Sequence, residues 1–132
     1  MFFLVLFSLL SFSQVSSLDQ MKGKRHVKGA EIKVLASPEV LNTKEAFIGH
    51  LTVPAKGKVP EHRDETEEYI FILKGSGKMW INDKMYSVKI NDLIYMPAMA
   101  KVRFENGNSE FQALQIFANP GPEKKYKDSS WK

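Results

Sequence analysis

The chain is predicted to fold as an all-β domain, and three features of its sequence lead there. Short segments rich in β-branched and aromatic residues recur at spacings of roughly 8–12 residues. Gly, Pro, Asn and Asp separate them, and no segment of the body carries an apolar stripe sustained over three helical turns. Many short strands punctuated in this way describe a sandwich or a barrel. A length of 132 residues allows one such domain and little room for a second. The absence of cysteine excludes a disulfide scaffold, a zinc ribbon, a thiol nucleophile and a lipid-modified cysteine. With 43% hydrophobic and 26% charged residues, the composition excludes disordered and collagen-like chains, so stability must come from a packed core.

The first element is not part of that core. Phe2 to Phe12 reads FFLVLFSLLSF and is followed by the small polar run Ser13 to Ser17. The run is shorter than the ~20 apolar residues of a membrane span and fits the apolar centre of a secretory signal peptide over residues 1–17, cut before Leu18. An uncleaved anchor or a buried first strand is the alternative. The expectation is export to a secreted or periplasmic location, with no stable membrane span.

Charge then separates tails from body. Residues 18–28 carry a net +3 and residues 120–132 a net +2, which leaves residues 29–119 at −1 within an overall +4. A basic excess confined to two tails reads as solvated termini, not as a nucleic-acid surface. His26 falls in the first tail and has no evident role.

The body, residues 29–119, supplies the strands: Glu31–Leu35, Phe47–Val53, Glu68–Leu73, Lys78–Ile81, Met85–Val88, Leu93–Met96, Val102–Phe104 and Phe111–Phe117. Asn82-Asp83 lies between two of them, and both residue types tolerate the left-handed backbone of a tight hairpin turn. Gly75-Ser76-Gly77 breaks the chain before that hairpin.

The stretch from Gly57 to Gly75 passes from a Pro/Gly loop through charged residues into a hydrophobic strand. His62 and Asp64, two apart, face one side of an extended segment, and Glu68 shares its face with Ile70 and Ile72. If that face points inward, a carboxylate sits among apolar residues beside an imidazole. Such a carboxylate has to be paired, hydrogen-bonded, protonated or metal-bound.

Gly57, four residues, His62-Arg63-Asp64, three residues, Glu68, six residues, Gly75 resembles the first motif of the cupin superfamily. Asn91, five residues, Pro97-Ala98-Met99, two residues, Val102, three residues, Asn106 resembles the second. The 15 intervening residues, Ser76 to Ile90, are similar to the short spacing of small single-domain cupins. The resemblance implies a double-stranded β-helix, or jelly-roll barrel. By position it implies a divalent metal held at His62, Asp64, Glu68 and Val102. Val102 cannot ligate, and Asp64 replaces an imidazole with a hard oxygen donor. The remaining set, His62, Asp64 and Glu68, would suit manganese, magnesium or calcium ahead of iron, nickel or zinc. Asn91 replaces a turn glycine and can adopt positive φ.

Bland readings stand beside these. His62 can instead pair with Asp64 or Glu68 without metal. Arg63 reads as a solvated or interface residue, and Glu65 and Glu67 as an exposed acidic edge. His50 and Gln115, on flanking strands, could replace the missing ligand, although a strand His or Gln is more often simply hydrogen-bonded. The expected ligand pocket comprises His62, Asp64, Glu68, Ile70, Val102 and Phe104, with Trp80, Met96, Met99 and Phe117 as further lining candidates. Tyr69, Phe71 and Leu73 form the opposite face of the motif strand, too apolar for free water, and imply a homodimer unless a terminal segment around Trp131 covers them.

The reading that follows is an exported barrel that binds a small organic ligand, with a weak or absent divalent-metal site. One alternative is a metal-dependent oxygenase, isomerase or lyase. Another is a metal-free sugar-modifying enzyme with His62 as general base and Tyr95 or Tyr86 as acid.

Overall fold

A computed structural model describes residues 13–132. The apolar run of the expected signal peptide, residues 2–12, lies outside the described residues. Among the described residues, no helix is long and apolar enough to cross a membrane.

Ten strands follow in order: β1 (Lys24–Arg25), β2 (Glu31–Ala36), β3 (Phe47–Val53), β4 (Lys58–His62), β5 (Glu68–Lys74), β6 (Ser76–Ile81), β7 (Lys84–Lys89), β8 (Leu93–Met96), β9 (Val102–Asn106) and β10 (Phe111–Phe117). They build two antiparallel sheets, ordered β1-β2-β3-β10-β5-β8 and β4-β9-β6-β7. The two inner faces make the core. On β10, Phe111, Ala113, Gln115 and Phe117 point inward while Gln112, Leu114 and Ile116 alternate outward, the period of two that a strand imposes.

Local chemistry sets the connections. Asn82 and Asp83 take φ 49° and 69° in the β6–β7 hairpin, and Asn91 takes φ 71° where a glycine would be the easier residue. Gly75 alone separates β5 from β6, at φ 84°, where the chain leaves one sheet for the other. A Cβ there would stand 2.8 Å from the Glu110 carbonyl oxygen, so this switch requires glycine.

Two elements were not expected. The segment read as a Pro/Gly loop is the strand β4, paired with β9 through Val59↔Phe104 and His62↔Val102. It tolerates Pro60 because β4 is an edge, where a missing N–H costs no ladder bond. The two basic tails, read as solvated, are in fact folded onto the barrel. Arg25 and Lys132 exchange backbone hydrogen bonds of 2.7 and 3.0 Å, and the Val27 N–H donates to the Ser130 carbonyl at 2.9 Å. Pro122–Lys127 forms a 3-10 helix that buries Tyr126 to 4% exposure. Net charge gave no hint of this, because aromatic burial, not charge, holds the segment down. The Tyr126 ring stacks on Phe47 (5.9 Å) and meets Trp131 edge-on (4.8 Å), and Trp131 meets His26 at 5.0 Å.

Candidate functional site

The site is assembled where several strands end together. His62 closes β4 opposite Val102 of β9, and Glu68 opens β5 between Phe117 of β10 and Met96 of β8. Strand alternation then turns Glu68, Ile70 and Gln115 toward the interior. Together they border a cavity of about 190 Å³. Its walls are apolar, made by Leu51, Ile70, Met79, Met96, Phe104 and Phe111. One end is polar, with His62, Glu68, Gln115, Lys125 and Tyr126. The free edges of the two sheets share the rest of the lining through His26, Lys28, Lys58 and Val59, beside Trp131.

Two hydrogen-bonded chains organise the polar end. In the first, Tyr126 Oη donates to Gln115 Oε1, and Gln115 Nε2 donates to Glu68 Oε1 at 2.7 Å. All three residues are buried, Glu68 to 3% exposure. Burial dominates the carboxyl and favours its uncharged form; the Lys125 charge and the Gln115 hydrogen bond oppose this without reversing it, and the pKa is pushed up to about 7. Among the described residues, the second oxygen, Oε2, has no hydrogen-bond partner.

The second chain runs through Asp64. Its oxygens receive Lys125 Nζ at 3.0 and 3.2 Å, and His62 Nε2 stands 3.3 Å from Oδ2. His62 Nδ1 donates to the Pro60 carbonyl at 2.8 Å. Burial alone would raise the Asp64 pKa, but the His62 hydrogen bond and the Lys125 ammonium outweigh it and hold the carboxylate at about 2. For His62, burial works against the imidazolium, yet Asp64 and the Pro60 carbonyl prevail and raise its pKa.

Of the expected pocket residues, His62, Glu68, Ile70, Val102 and Phe104 line the cavity. Asp64 does not; it lies behind His62 and Lys125 as their shared counter-ion. Met96 lines the cavity, whereas Met99 is half exposed, Phe117 is wholly in the core, and the Trp80 ring carries the Arg103 guanidinium at 3.5 Å. Arg63 is exposed, as expected, and also donates to the Met99 carbonyl at 2.6 Å. His50 borders a separate surface depression with Thr52 and Gln112, and cannot serve this site. Tyr86 and Tyr95 are exposed, and Tyr95 instead donates to Glu67 at 3.2 Å, as Tyr69 does at 3.0 Å. Trp131 covers the cavity and not the Tyr69 face.

Lys125, Tyr126 and Trp131 were missed from sequence, as was the placement of His26. The available signal was the pair of aromatic residues in a segment otherwise read as a solvated tail.

The donor set does not fit a divalent metal. Among the described residues, no three His, Asp or Glu side chains form a group that could hold an ion. Both Asp64 oxygens face the Lys125 ammonium, Glu68 Oε1 accepts from Gln115, and Val102 offers no donor. Lys125 already supplies a positive charge where a metal would be expected to.

Fold and site define a jelly-roll barrel with a partly open, mainly apolar cavity and a polar end built from β4, β5, β10 and the C-terminal segment. The family described as Cupin domain matches residues 49–117, and the chain belongs to it. An uncharacterized protein of Methanocaldococcus jannaschii is 30% identical over 98 residues, covering 73% of this chain and 78% of its own. An RmlC-like cupin from Shewanella frigidimarina superposes with a TM-score of 0.75 at 11% identity, over 86% of this chain and 96% of its own. A Bacillus subtilis oxalate decarboxylase with Mn(II) centres superposes with a TM-score of 0.76 at 15% identity, over 87% of this chain and 32% of its own. At such identities the likeness is one of fold.

Proposed function

We propose that this protein binds a small organic ligand inside its barrel and does so without a metal. The observation that carries this reading is the cavity of about 190 Å³, apolar along its walls and polar at one end. Apolar cavities of roughly 150 Å³ are large enough to take up a benzene-sized molecule. The pattern of apolar walls with a few convergent polar groups is that of a small-molecule site. The neighbouring decarboxylase contains Mn(II), but this chain's site has Lys125 on Asp64 and valine at position 102. The apolar run before Ser17 supports export as part of the same proposal, and the apolar outer face of β5 supports a homodimer.

The test is a thermal-shift screen of small organic compounds on the wild type and on Val102→Phe, which fills the cavity. Hits that stabilise the wild type and not the variant support the reading. A wild type that responds to no compound, or a variant that responds equally, overturns it.

Glu68 favours a second reading, a metal-free acid–base enzyme. A carboxyl with a pKa of about 7 in an apolar cavity is poised to give or take a proton at neutral pH. His62 is the poorer base, because both ring nitrogens are engaged, by the Pro60 carbonyl and by Asp64. Under this reading Glu68→Gln keeps binding and loses turnover.

A further inference from the structure

Resting on the reading of the barrel as a ligand cavity, we propose that the ligand is a small organic monocarboxylate, with an apolar body the size of one six-membered ring and its carboxylate seated at Lys125 and Glu68.

The charges that face the cavity carry the argument. Among the described residues that line it, Glu68 is the only acid, against Lys28, Lys58, Arg103 and Lys125. Two of these cations are spent elsewhere: Arg103 lies on Trp80 and pairs with Glu105, and Lys58 stands 3.9 Å from Glu105. Lys28 and Lys125 remain. Asp64, the partner of Lys125, is absent from the lining, so the cavity meets the ammonium without meeting its counter-ion. An ammonium has three protons, and the two contacts to Asp64 can occupy two of them.

Glu68 is complementary to this. Its Oε2 has no partner among the described residues, and burial favours the uncharged carboxyl, which can donate one hydrogen bond. The polar end therefore presents an ammonium N–H and a carboxyl O–H to whatever enters. A carboxylate accepts both, as charge-assisted bonds. An uncharged ligand accepts them more weakly, and an amine meets the Lys125 cation and, below pH 7, a carboxyl that is mostly uncharged. Exposed Lys28 adds a positive potential at the sheet edges that favours approach of an anion. Volume limits the part of the molecule inside the barrel, since about 190 Å³, polar end included, holds little more than one ring and its substituent.

Three probes of nearly equal size test this: benzoate, benzyl alcohol and benzylammonium, titrated calorimetrically into the full chain at pH 6. Benzoate is expected to bind at least ten-fold more tightly than benzyl alcohol, with no detectable binding of benzylammonium. Lys125→Gln should lower benzoate affinity ten-fold or more and benzyl alcohol affinity by at most two- to three-fold, whereas Lys125→Arg should retain benzoate. Val102→Phe should abolish benzoate binding. Equal affinity for benzoate and benzyl alcohol, or a preference for benzylammonium, overturns the anion assignment and leaves the cavity reading standing. Benzoate binding that survives Val102→Phe places it on exposed lysines and also overturns the assignment. If none of the three probes binds at millimolar concentration, the cavity reading itself falls.

Discussion

Lys125 Nζ bonds both carboxylate oxygens of Asp64, at 3.0 and 3.2 Å, across a sequence separation of 61 residues. This contact ties the C-terminal segment to the loop between β4 and β5 and places an ammonium at the polar end of the barrel. It also explains how a half-buried aspartate persists beside a barrel interior, since a buried charge is tolerated only when paired and hydrogen-bonded.

Removing the pair should loosen the C-terminal segment. Lys125→Ala leaves Asp64 with His62 alone, at an expected cost of about 2 kcal/mol, the range for hydrogen bonds to a charged group. Urea denaturation measures that loss, and limited proteolysis should show faster cleavage between residues 118 and 132. An unchanged midpoint together with an unchanged cleavage pattern would count against the role of this contact.

Acid should act through the same aspartate. The Asp64 pKa is depressed from its ordinary 3.8 to about 2. Its stabilisation, about 2 kcal/mol, is therefore present above pH 4 and lost as the pH falls through 2. Asp64→Asn should flatten stability against pH between 4 and 2, read from denaturation midpoints.

Glu68 has the opposite sign. Its pKa is raised from 4.5 to about 7, so the folded state holds a proton that the unfolded state releases. The contribution is complete below pH 4.5 and is lost as the pH rises through 7, on the order of 3 kcal/mol in all. Glu68→Gln preserves the bond from Gln115 and should remove this slope, so that the variant gains on the wild type between pH 5 and pH 8. A parallel decline of the two proteins would show that Glu68 is not the titrating group.

The outer face of β5 is the surface proposed for dimerisation. Tyr69 and Phe71 are part-exposed and Leu73 exposed, and β8 and β10 extend the patch with Leu93, Leu114 and Ile116. Phe71→Glu should convert a dimer into a monomer in analytical ultracentrifugation. A monomeric wild type removes the proposal.

Metal content should be low. Elemental analysis of protein grown with added manganese, iron and zinc should find well under one ion per chain after mild chelation, given a single imidazole, an Asp64 carboxylate held by Lys125 and no donor at Val102. A tightly retained ion at one per chain would require rearrangement of the Lys125–Asp64 pair.

The proposed export predicts its own mass change. Cleavage after Ser17 would remove roughly 2 kDa, visible by intact-mass spectrometry of protein from its native compartment. Recovery of the uncleaved chain would disprove it.

Local pattern determined much of this protein. Strands from Phe47–Val53 and Phe111–Phe117 have the predicted limits, Asn82-Asp83 and Asn91 take the left-handed conformations their side chains allow, and the spacing of His62, Asp64 and Glu68 places them at one barrel end. These features are local because alternation, turn chemistry and two-residue periodicity act over a few positions. Strand β4 is not legible in the sequence because an edge strand with proline lacks the usual composition, and only its pairing with β9 makes it one. The partners of the site came from farther still. Whether Asp64 meets a metal or an ammonium, and whether Glu68 is bonded by Gln115 and backed by Tyr126, depends on where residues 122–131 return to the barrel. That return is driven by burying Tyr126 and Trp131 against Phe47 and His26, contacts between residues dozens of positions apart that no window of sequence contains.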